Sequence, residues 1–271
     1  MSYLARETTN LSESFWTELD TVVVAAAKKV LTGRRFLHVF GPLGIGVDNV
    51  AVDDTDKLKE KAEDGLIITV GRRYMQIPMI YDDFILLARD LESLKKSGLP
   101  VDFSKAVVSA SACAFKEDKL IYFGNKELGY TGLMTATGAN KLSKKDWSKG
   151  ENAFADVAAA IELLMAKNIY GNYSLIVSPD LYLQMQRLQV GTGLLEAERV
   201  EKLVEGHFYK SPVLGKGKAL LVCPEATNMD LVIGQDMAAA YLEQTELNHS
   251  IRILETAFPR IKREQAIVIF E

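Results

Sequence analysis

One long stretch of this chain cannot be a self-contained folded unit. From Gly41 to Gly65 the residues are rich in Asp, Lys and Gly, and they carry no sustained helical face apart from a short charged piece around Lys57 to Glu63. The next run, Leu66-Ile67-Ile68-Thr69-Val70 followed by Arg72, Tyr74 and Gln76, reads as a strand returning toward the core. Together they predict a long two-stranded excursion, and irregular segments of such length are functional or disordered. An extended arm cannot bury Ile67, Val70 and Tyr74 against its own domain, so their apolar surface implies coverage by other copies of the chain. A surface hairpin packed on its own domain accounts for the composition nearly as well, and the pattern alone leaves that alternative open.

The excursion starts at Gly41-Pro42-Leu43-Gly44-Ile45-Gly46, straight after Phe36 to Phe40, an apolar run that reads as a strand. A dinucleotide fingerprint needs Gly-x-Gly-x-x-Gly between a strand and a helix, because the helix amides hold the pyrophosphate. Here the glycines stand at 41, 44 and 46, and the residues after them, Val47 to Asp56, are β-like and acidic. A phosphate would meet carboxylates. The run is read as a turn at the root of the arm, its glycines giving backbone freedom.

Around this arm the composition is that of an ordinary globular protein. The chain has 271 residues, 48% of them hydrophobic, which suits one large domain or two modest ones. A net charge of −4 from well-mixed acids and bases offers no basic face to a phosphate backbone, so nucleic acid is not the expected partner. The longest apolar stretches, Val22 to Ala27 and Ala266 to Phe270, fall far short of the roughly 20 residues that cross a bilayer, and no membrane partner is expected. The polar start, Met1 to Asn10, lacks a secretory signal pattern, and a cytoplasmic protein is expected. Cys113 and Cys223 then read as buried reduced thiols.

Ser12 is placed as the N-cap of a helix to about Leu31, whose apolar surface (Phe15, Leu19, Val22, Val23, Ala26, Val30, widened by Val24, Ala25 and Ala27) predicts cover on more than one side. Asp82 and Asp83 are read as opening a second helix through Phe84, Leu87, Ala88, Leu91 and Leu94, ending at Lys95, Lys96 and Gly98. A third, alanine-rich helix near Ser104 to Asp118 is read as scaffold. After the glycine-rich Gly124 to Gly150 follow a helix through Phe154 to Met165, the strand at Tyr173 to Ser178, a helix begun by Ser178 and Pro179, and a short helix through Val200, Leu203 and Val204. The strand at Ala219 to Cys223 is next, and beyond Asn228 the pattern is mostly strand.

Candidate chemistry is sparse. His38, His207 and His249 are widely separated, and none has metal-ligand spacing to another histidine or a cysteine. Asp53-Asp54 and Asp82-Asp83 read as solvated charges, and Glu196, Glu198 and Glu201 as first-turn acids of a surface helix. No catalytic residue, metal site or cofactor is expected.

The segments "GRRFLHVFGPLG", "IPMIYDDFILLARDLE", "GLMTATG", "YSLIVSPDLY", "NMDLVIGQDMAAAYL" and "NHSIRILETAFPRIK" occur in this order. Through them the whole chain resembles the encapsulin nanocompartment shell proteins, of the kind with an N-terminal cargo-binding helix. The resemblance implies an α+β Hong Kong 97 bacteriophage capsid-like fold with a peripheral domain, an extended loop and an axial domain, assembling into an icosahedral homo-oligomer. On that plan residues 1–40 hold the N-terminal helix and the first part of the peripheral domain, and 41–75 the extended loop. Residues 76–129 are peripheral domain with a spine helix starting at Asp82, 130–226 are the axial domain, and 227–271 are peripheral C-terminal strands.

The resemblance also implies partners and sites. Cargo, of ferritin-like or peroxidase type, would carry a C-terminal targeting peptide that docks in a groove on the first helix. Val22, Val23, Ala26, Ala27, Val30, Arg34 and His38 are the residues offered there, so that Val23→Asp is expected to preserve particles and lose cargo. A fivefold pore loop is placed at Gln189, Val190, Gly191, Thr192, Gly193, Leu194 and Leu195, uncharged and therefore narrow and weakly selective. Some shells of this family bind a flavin near an aromatic residue of the spine helix, but Asp82 to Lys96 holds no Trp, which speaks against a flavin here. The expected function is a non-enzymatic shell for iron storage or oxidative-stress defence. A prophage major capsid protein of the same fold is the first rival, and a soluble nucleotide-dependent enzyme the second.

Overall fold

The computed structural model describes residues 3–52, 58–97 and 100–271, with the backbone alone over 93–97. Helix α1, Glu13–Val30, begins where the Ser12 hydroxyl accepts the Phe15 N–H at 3.2 Å. Its inward stripe, Phe15, Trp16, Leu19, Val23, Ala26 and Ala27, packs on a long helix, α3 (Ser104–Phe123). Ala106, Ala110, Cys113 and Ala114 of α3 are fully buried, and their small side chains let the two helices approach closely. The third helix thus runs on past Asp118, and the reason is visible at that residue. The buried Asp118 carboxylate accepts the N–H groups of Thr32 and Gly33 at 2.8 and 2.9 Å, which ties the α3 backbone to the end of α1.

Both helices lie on a four-stranded sheet in the order β1-β13-β14-β6. Its strands are β1 (Val39–Phe40), β6 (Met79–Leu86), β13 (Met229–Thr245) and β14 (Asn248–Ile261), with β1 parallel to β13 and the other pairs antiparallel. The helix expected from Asp82 is corrected here. Residues 79–86 form a strand paired with β14 from Thr256↔Met79 to His249↔Leu86, and helix α2 spans only Ala88–Ser97. Ile80, Phe84 and Leu86 are buried while Met79, Tyr81 and Ile85 are exposed, an alternation with period two. Phe84, Leu87 and Leu91 imitate helical spacing across the strand-helix junction, and that coincidence hides the strand from periodicity. The expected ending at Lys95, Lys96 and Gly98 lies outside the described residues and side chains. The long helix at the centre of the molecule is therefore α3, whose first turns pack under α1 and whose Ile121 and Tyr122 enter the second core.

That second core surrounds a five-stranded mixed sheet in the order β11-β10-β12-β15-β9. Beyond a short antiparallel pair, β7 (Gly124–Asn125) with β8 (Tyr130–Thr131), it comprises β9 (Asn140–Leu142), β10 (Ser174–Val177), β11 (Phe208–Lys210), β12 (Ala219–Val222) and β15 (Ile267–Phe270). Helices α4 (Asn152–Ala166), α5 (Pro179–Gln184) and α6 (Glu196–Leu203) supply Val157, Leu164, Leu181 and Val200 to it. The grouping of all residues from 227 to 271 needs correction. β15 leaves the first sheet and inserts between β12 and β9, because Ile267, Val268, Ile269 and Phe270 are buried on both faces and fit only an interior strand.

The excursion is a two-part arm. β2 (Asn49–Val52) pairs with β5 (Arg73–Gln76), and farther out β3 (Lys59–Glu63) pairs with β4 (Leu66–Val70), so the charged piece with a helical look in sequence is a strand. Lys57, with Asp53 and Asp54, lies outside the described residues. On the outer ribbon Leu66 is 72% exposed and Ile67 68%. The glycine run at the root is pinned: Leu43 N–H donates to Ile233 O at 3.0 Å and Gly44 N–H to Gly234 O at 2.8 Å. Gly41 has φ +136°, and a Cβ there would meet the Ile233 carbonyl oxygen at 2.1 Å. Close approach of backbones, more than freedom of movement, selects glycine at that position.

Candidate functional site

The residues offered for a groove on α1 divide sharply. Val23 is fully buried, Ala26 and Ala27 nearly so, while Val22 and Val30 are half-buried against the same core. His38 is exposed beyond the helix, with its backbone carbonyl accepting the Leu231 N–H at 2.8 Å. Val23 and Ala26 are core residues of the packing between α1 and α3. The outward stripe is Thr17, Thr21, Val24, Ala25 and Lys28, of which Val24 is 38% exposed. Val24 also borders a cavity of about 430 Å³ with Ala27, Leu31, Asp236 and Met237 on its walls. Helical periodicity finds the apolar residues, but on a helix apolar over more than half its circumference it does not say which side faces out.

Arg34 sits at one edge of this cavity and is fully engaged. Its Nε donates to Glu117 Oε1 at 2.9 Å, its Nη2 to Glu117 Oε2 at 2.7 Å and Glu255 Oε2 at 2.6 Å, and its Nη1 to Asp236 Oδ1 at 2.6 Å. Burial works against the guanidinium charge, and the hydrogen bonds and charges of Glu117 and Glu255 outweigh it, so Arg34 stays protonated. Glu255 is fully buried, and burial first, then the neighbouring Glu117 charge, hold its carboxyl well above the usual glutamate range. Its Oε1 has no hydrogen-bond partner among the described residues. Arg34 thus acts as a buried ionic junction. The readable signal was Glu117, an acid set among Ala110, Ala114 and Ile121 on the buried stripe of α3.

The second candidate, residues 189–195, is a closed turn. Leu188 and Leu195 form an isolated antiparallel bridge, Gln189 N–H donates to Leu194 O at 2.9 Å, and Gly191 and Gly193 take φ of +82° and +69°. Its crown, Val190, is 98% exposed. The base is anchored by Glu196, which the sequence placed among surface acids and which is fully buried. Glu196 Oε2 accepts from Arg187 Nη2 and from Gln189 Nε2, the latter at 2.9 Å, and its Oε1 accepts the Ala153 N–H at 3.1 Å. Arg187 and Gln189 also reach Gly150 O, each at 2.7 Å, so one carboxylate ties the turn to the start of α4. A first-turn acid is indistinguishable by sequence from a solvated one; only the two polar partners at Arg187 and Gln189 hinted otherwise.

An encapsulating-protein family, Linocin_M18, described as "Encapsulating protein for peroxidase", matches residues 1–258. This chain belongs to the encapsulin shell-protein family. It is 36% identical to the type 1 encapsulin shell protein EncA of Myxococcus xanthus, over 99% of this chain and 96% of that one. It is 37% identical to a diheme-cytochrome-encapsulin shell fusion protein of Kuenenia stuttgartiensis, over 97% of this chain and 74% of the fusion. In structure it resembles a virus-like particle protein from Pyrococcus furiosus, with TM-score 0.77, 22% identity and coverage of 96% and 100% of the two chains. The capsid of Myoviridae phage XM1 is similar at TM-score 0.57 and 15% identity, over 100% and 98% of the chains. The fold is the Hong Kong 97 capsid type, mixed α and β.

In this encapsulin the histidines stay apart: His207 Nδ1 lies 3.4 Å from the Tyr209 hydroxyl and His249 Nδ1 3.4 Å from the Tyr241 hydroxyl. Among the described residues no group of three or more His, Cys, Asp or Glu is placed to hold a metal ion, and no helix is long and apolar enough to cross a membrane. Both encapsulin cysteines are buried, and burial pushes the Cys113 thiol up to about 12.

Proposed function

We propose that copies of this chain close into a hollow icosahedral shell and enclose cargo proteins that dock through C-terminal targeting peptides on α1. The observation that carries the reading is the outer ribbon β3–β4, which holds Leu66, Ile67, Ile68 and Val70 exposed on an arm away from both cores of its own chain. Burying such a row against a second copy is worth about 25 cal/mol per Å² of apolar surface, which makes association the natural fate of the arm. In this reading residues 41–76 are the extended loop, α1 to α3 with the four-stranded sheet form the peripheral domain, and residues 130–226 joined by β15 form the axial domain.

The groove of this proposal is the outward stripe of α1, centred on Val24 and the cavity beside Leu31 and Met237. The turn crowned by Val190 would line a fivefold pore, where an uncharged rim passes small solutes by size. Cargo of peroxidase type accords with the description of the family and ferritin-like cargo with a ferritin-like-encapsulin shell fusion protein of Pyrococcus furiosus, and iron storage or defence against oxidative stress in the cytoplasm follows from such cargo. The shell itself would catalyse nothing. Size-exclusion chromatography and negative-stain microscopy of the chain expressed alone test the reading: hollow particles of uniform diameter support it, and a monomer across several salt and pH conditions removes it. Nucleic acid packed inside the particles would favour a prophage capsid instead.

A further inference from the structure

The root of the arm is held by two contacts of different kinds on one face of β13–β14. Val232 and Phe258, paired across the two strands, form an apolar floor under Val52 and Ile77 of the arm. Next along the same face, Asp230 pairs with Arg260. Arg260 Nε and Nη2 donate to the buried Asp230 carboxylate at 2.9 and 2.6 Å, its Nη1 donates to Ala51 O of β2 at 3.0 Å, and its guanidinium lies 4.5 Å from the centre of the Phe40 ring of β1. Lys262 holds the same carboxylate from a second side, at 2.8 Å. One side chain therefore connects β1, β2, β13 and β14.

The two contacts do different work. An apolar floor is non-directional and tolerates sliding. A guanidinium fork fixed on a carboxylate has a set plane, and its remaining donor fixes where the Ala51 carbonyl must lie. On the other strand of the arm root the Gln76 carbonyl accepts the Tyr130 hydroxyl at 2.9 Å, and Met75 packs against the same apolar floor. From Gly65 to Gln76 the arm spans at most about 35 Å at roughly 3.3 Å per residue. Tilting it by about 5° moves the tip about 3 Å sideways, more than half of the roughly 4.8 Å that separates paired strands. Small changes at the root thus select between discrete ways of meeting a neighbour.

We propose that Arg260 is the positioning residue that fixes the direction in which the arm leaves the body, and with it the curvature at which neighbouring copies close. This rests on the arm being the contact between copies. The test compares the full-length wild type with Arg260→Lys, which keeps the charge facing Asp230 but loses the fork, and with Arg260→Gln. Hydrogen exchange over β2 and β5 is read beside the particle mass distribution by charge-detection mass spectrometry. Both variants should exchange these amides about tenfold faster, the scale of one lost charge-assisted hydrogen bond, with β13–β14 unchanged and with a shifted or split particle mass. Wild-type exchange in β2 and β5 overturns the proposal. So does faster exchange with the single wild-type mass, which would leave Arg260 a stabilising contact only. A variant that stays folded but forms no particles supports it if the root exchange is accelerated and overturns it if not. If the wild type itself forms no particles, the shell reading fails separately, and the exchange comparison still reports on the clamp.

Discussion

The guanidinium of Arg34 lies 2.6 Å from the fully buried Glu255 carboxyl, beneath the end of the helix proposed to receive cargo. Removing the cation would leave the buried Glu117 without its counter-charge and Glu255 without its hydrogen-bond donor. Arg34→Met is therefore expected to cost about 3–5 kcal/mol, read as a lower midpoint in urea denaturation of unassembled protein.

The same pair gives stability a pH dependence of definite sign. Glu255 is held well above the ordinary glutamate value of 4.5, so the folded chain keeps a proton that the unfolded chain has released. The stabilisation is complete below that ordinary value and is lost as pH rises through the raised one. Asp118 acts in the same direction, but burial raises it only from 3.8 to about 6, so its contribution is spent by then. Above about pH 6, where Asp118 no longer contributes, the melting temperature of wild type should fall more steeply than that of Glu255→Gln, which cannot lose the proton. Parallel curves across that range would show that Glu255 is ionised throughout.

Val23 and Val24, adjacent in sequence, should respond oppositely to aspartate. Val23→Asp buries a charge in the α1–α3 core and should abolish folding, whereas Val24→Asp faces the cavity and should leave particles intact while co-purified cargo falls severalfold. Densitometry of cargo against shell bands decides the matter, and undiminished loading in Val24→Asp places the groove elsewhere.

Two glycines of the arm root separate close approach from backbone strain. Gly44 has φ +97° and open space for 4 Å around the position a methyl would take, so Gly44→Ala should cost about 1–3 kcal/mol of strain alone. Gly41→Ala adds a collision with the Ile233 carbonyl and should cost more, by at least about 1 kcal/mol in denaturant unfolding. Equal costs would mean that the root gives way freely, as a hinge does.

Glu196→Ala would strip the axial turn of its anchor and leave Arg187 and Gln189 without that acceptor. A loss of about 3 kcal/mol or more is expected, together with proteolytic nicking between Arg187 and Leu195. An uncut loop in the variant would show that the backbone bridge from Leu188 to Leu195 suffices.

The elements most legible in the sequence were those whose burial is local. The Ser12 cap, the Phe154 to Met165 helix and the fully buried strands around Ile176 and Leu221 lie within a residue or two of their expected places. What failed depended on distant partners. Residues 79–86 are a strand because β14, from the far end of the chain, lies beside them, and no local spacing carries that. β15 joined the second sheet for the same reason. At the candidate sites, the apolar stripe of α1 was visible but its outward side was not, since that side is set by where α3 packs. The buried acids Glu196 and Glu255 were hidden because their burial is set by packing between elements far apart in sequence.

Assembly through the arm is the central claim, and light scattering coupled to size-exclusion chromatography measures it directly on wild type and Ile67→Asp side by side. The wild type should elute as a closed particle in the megadalton range, on the order of the largest homo-oligomeric assemblies, and Ile67→Asp as a folded species near the 30.0 kDa of one chain. A 30.0 kDa wild type, or particles unaffected by a charge at Ile67, would contradict the account.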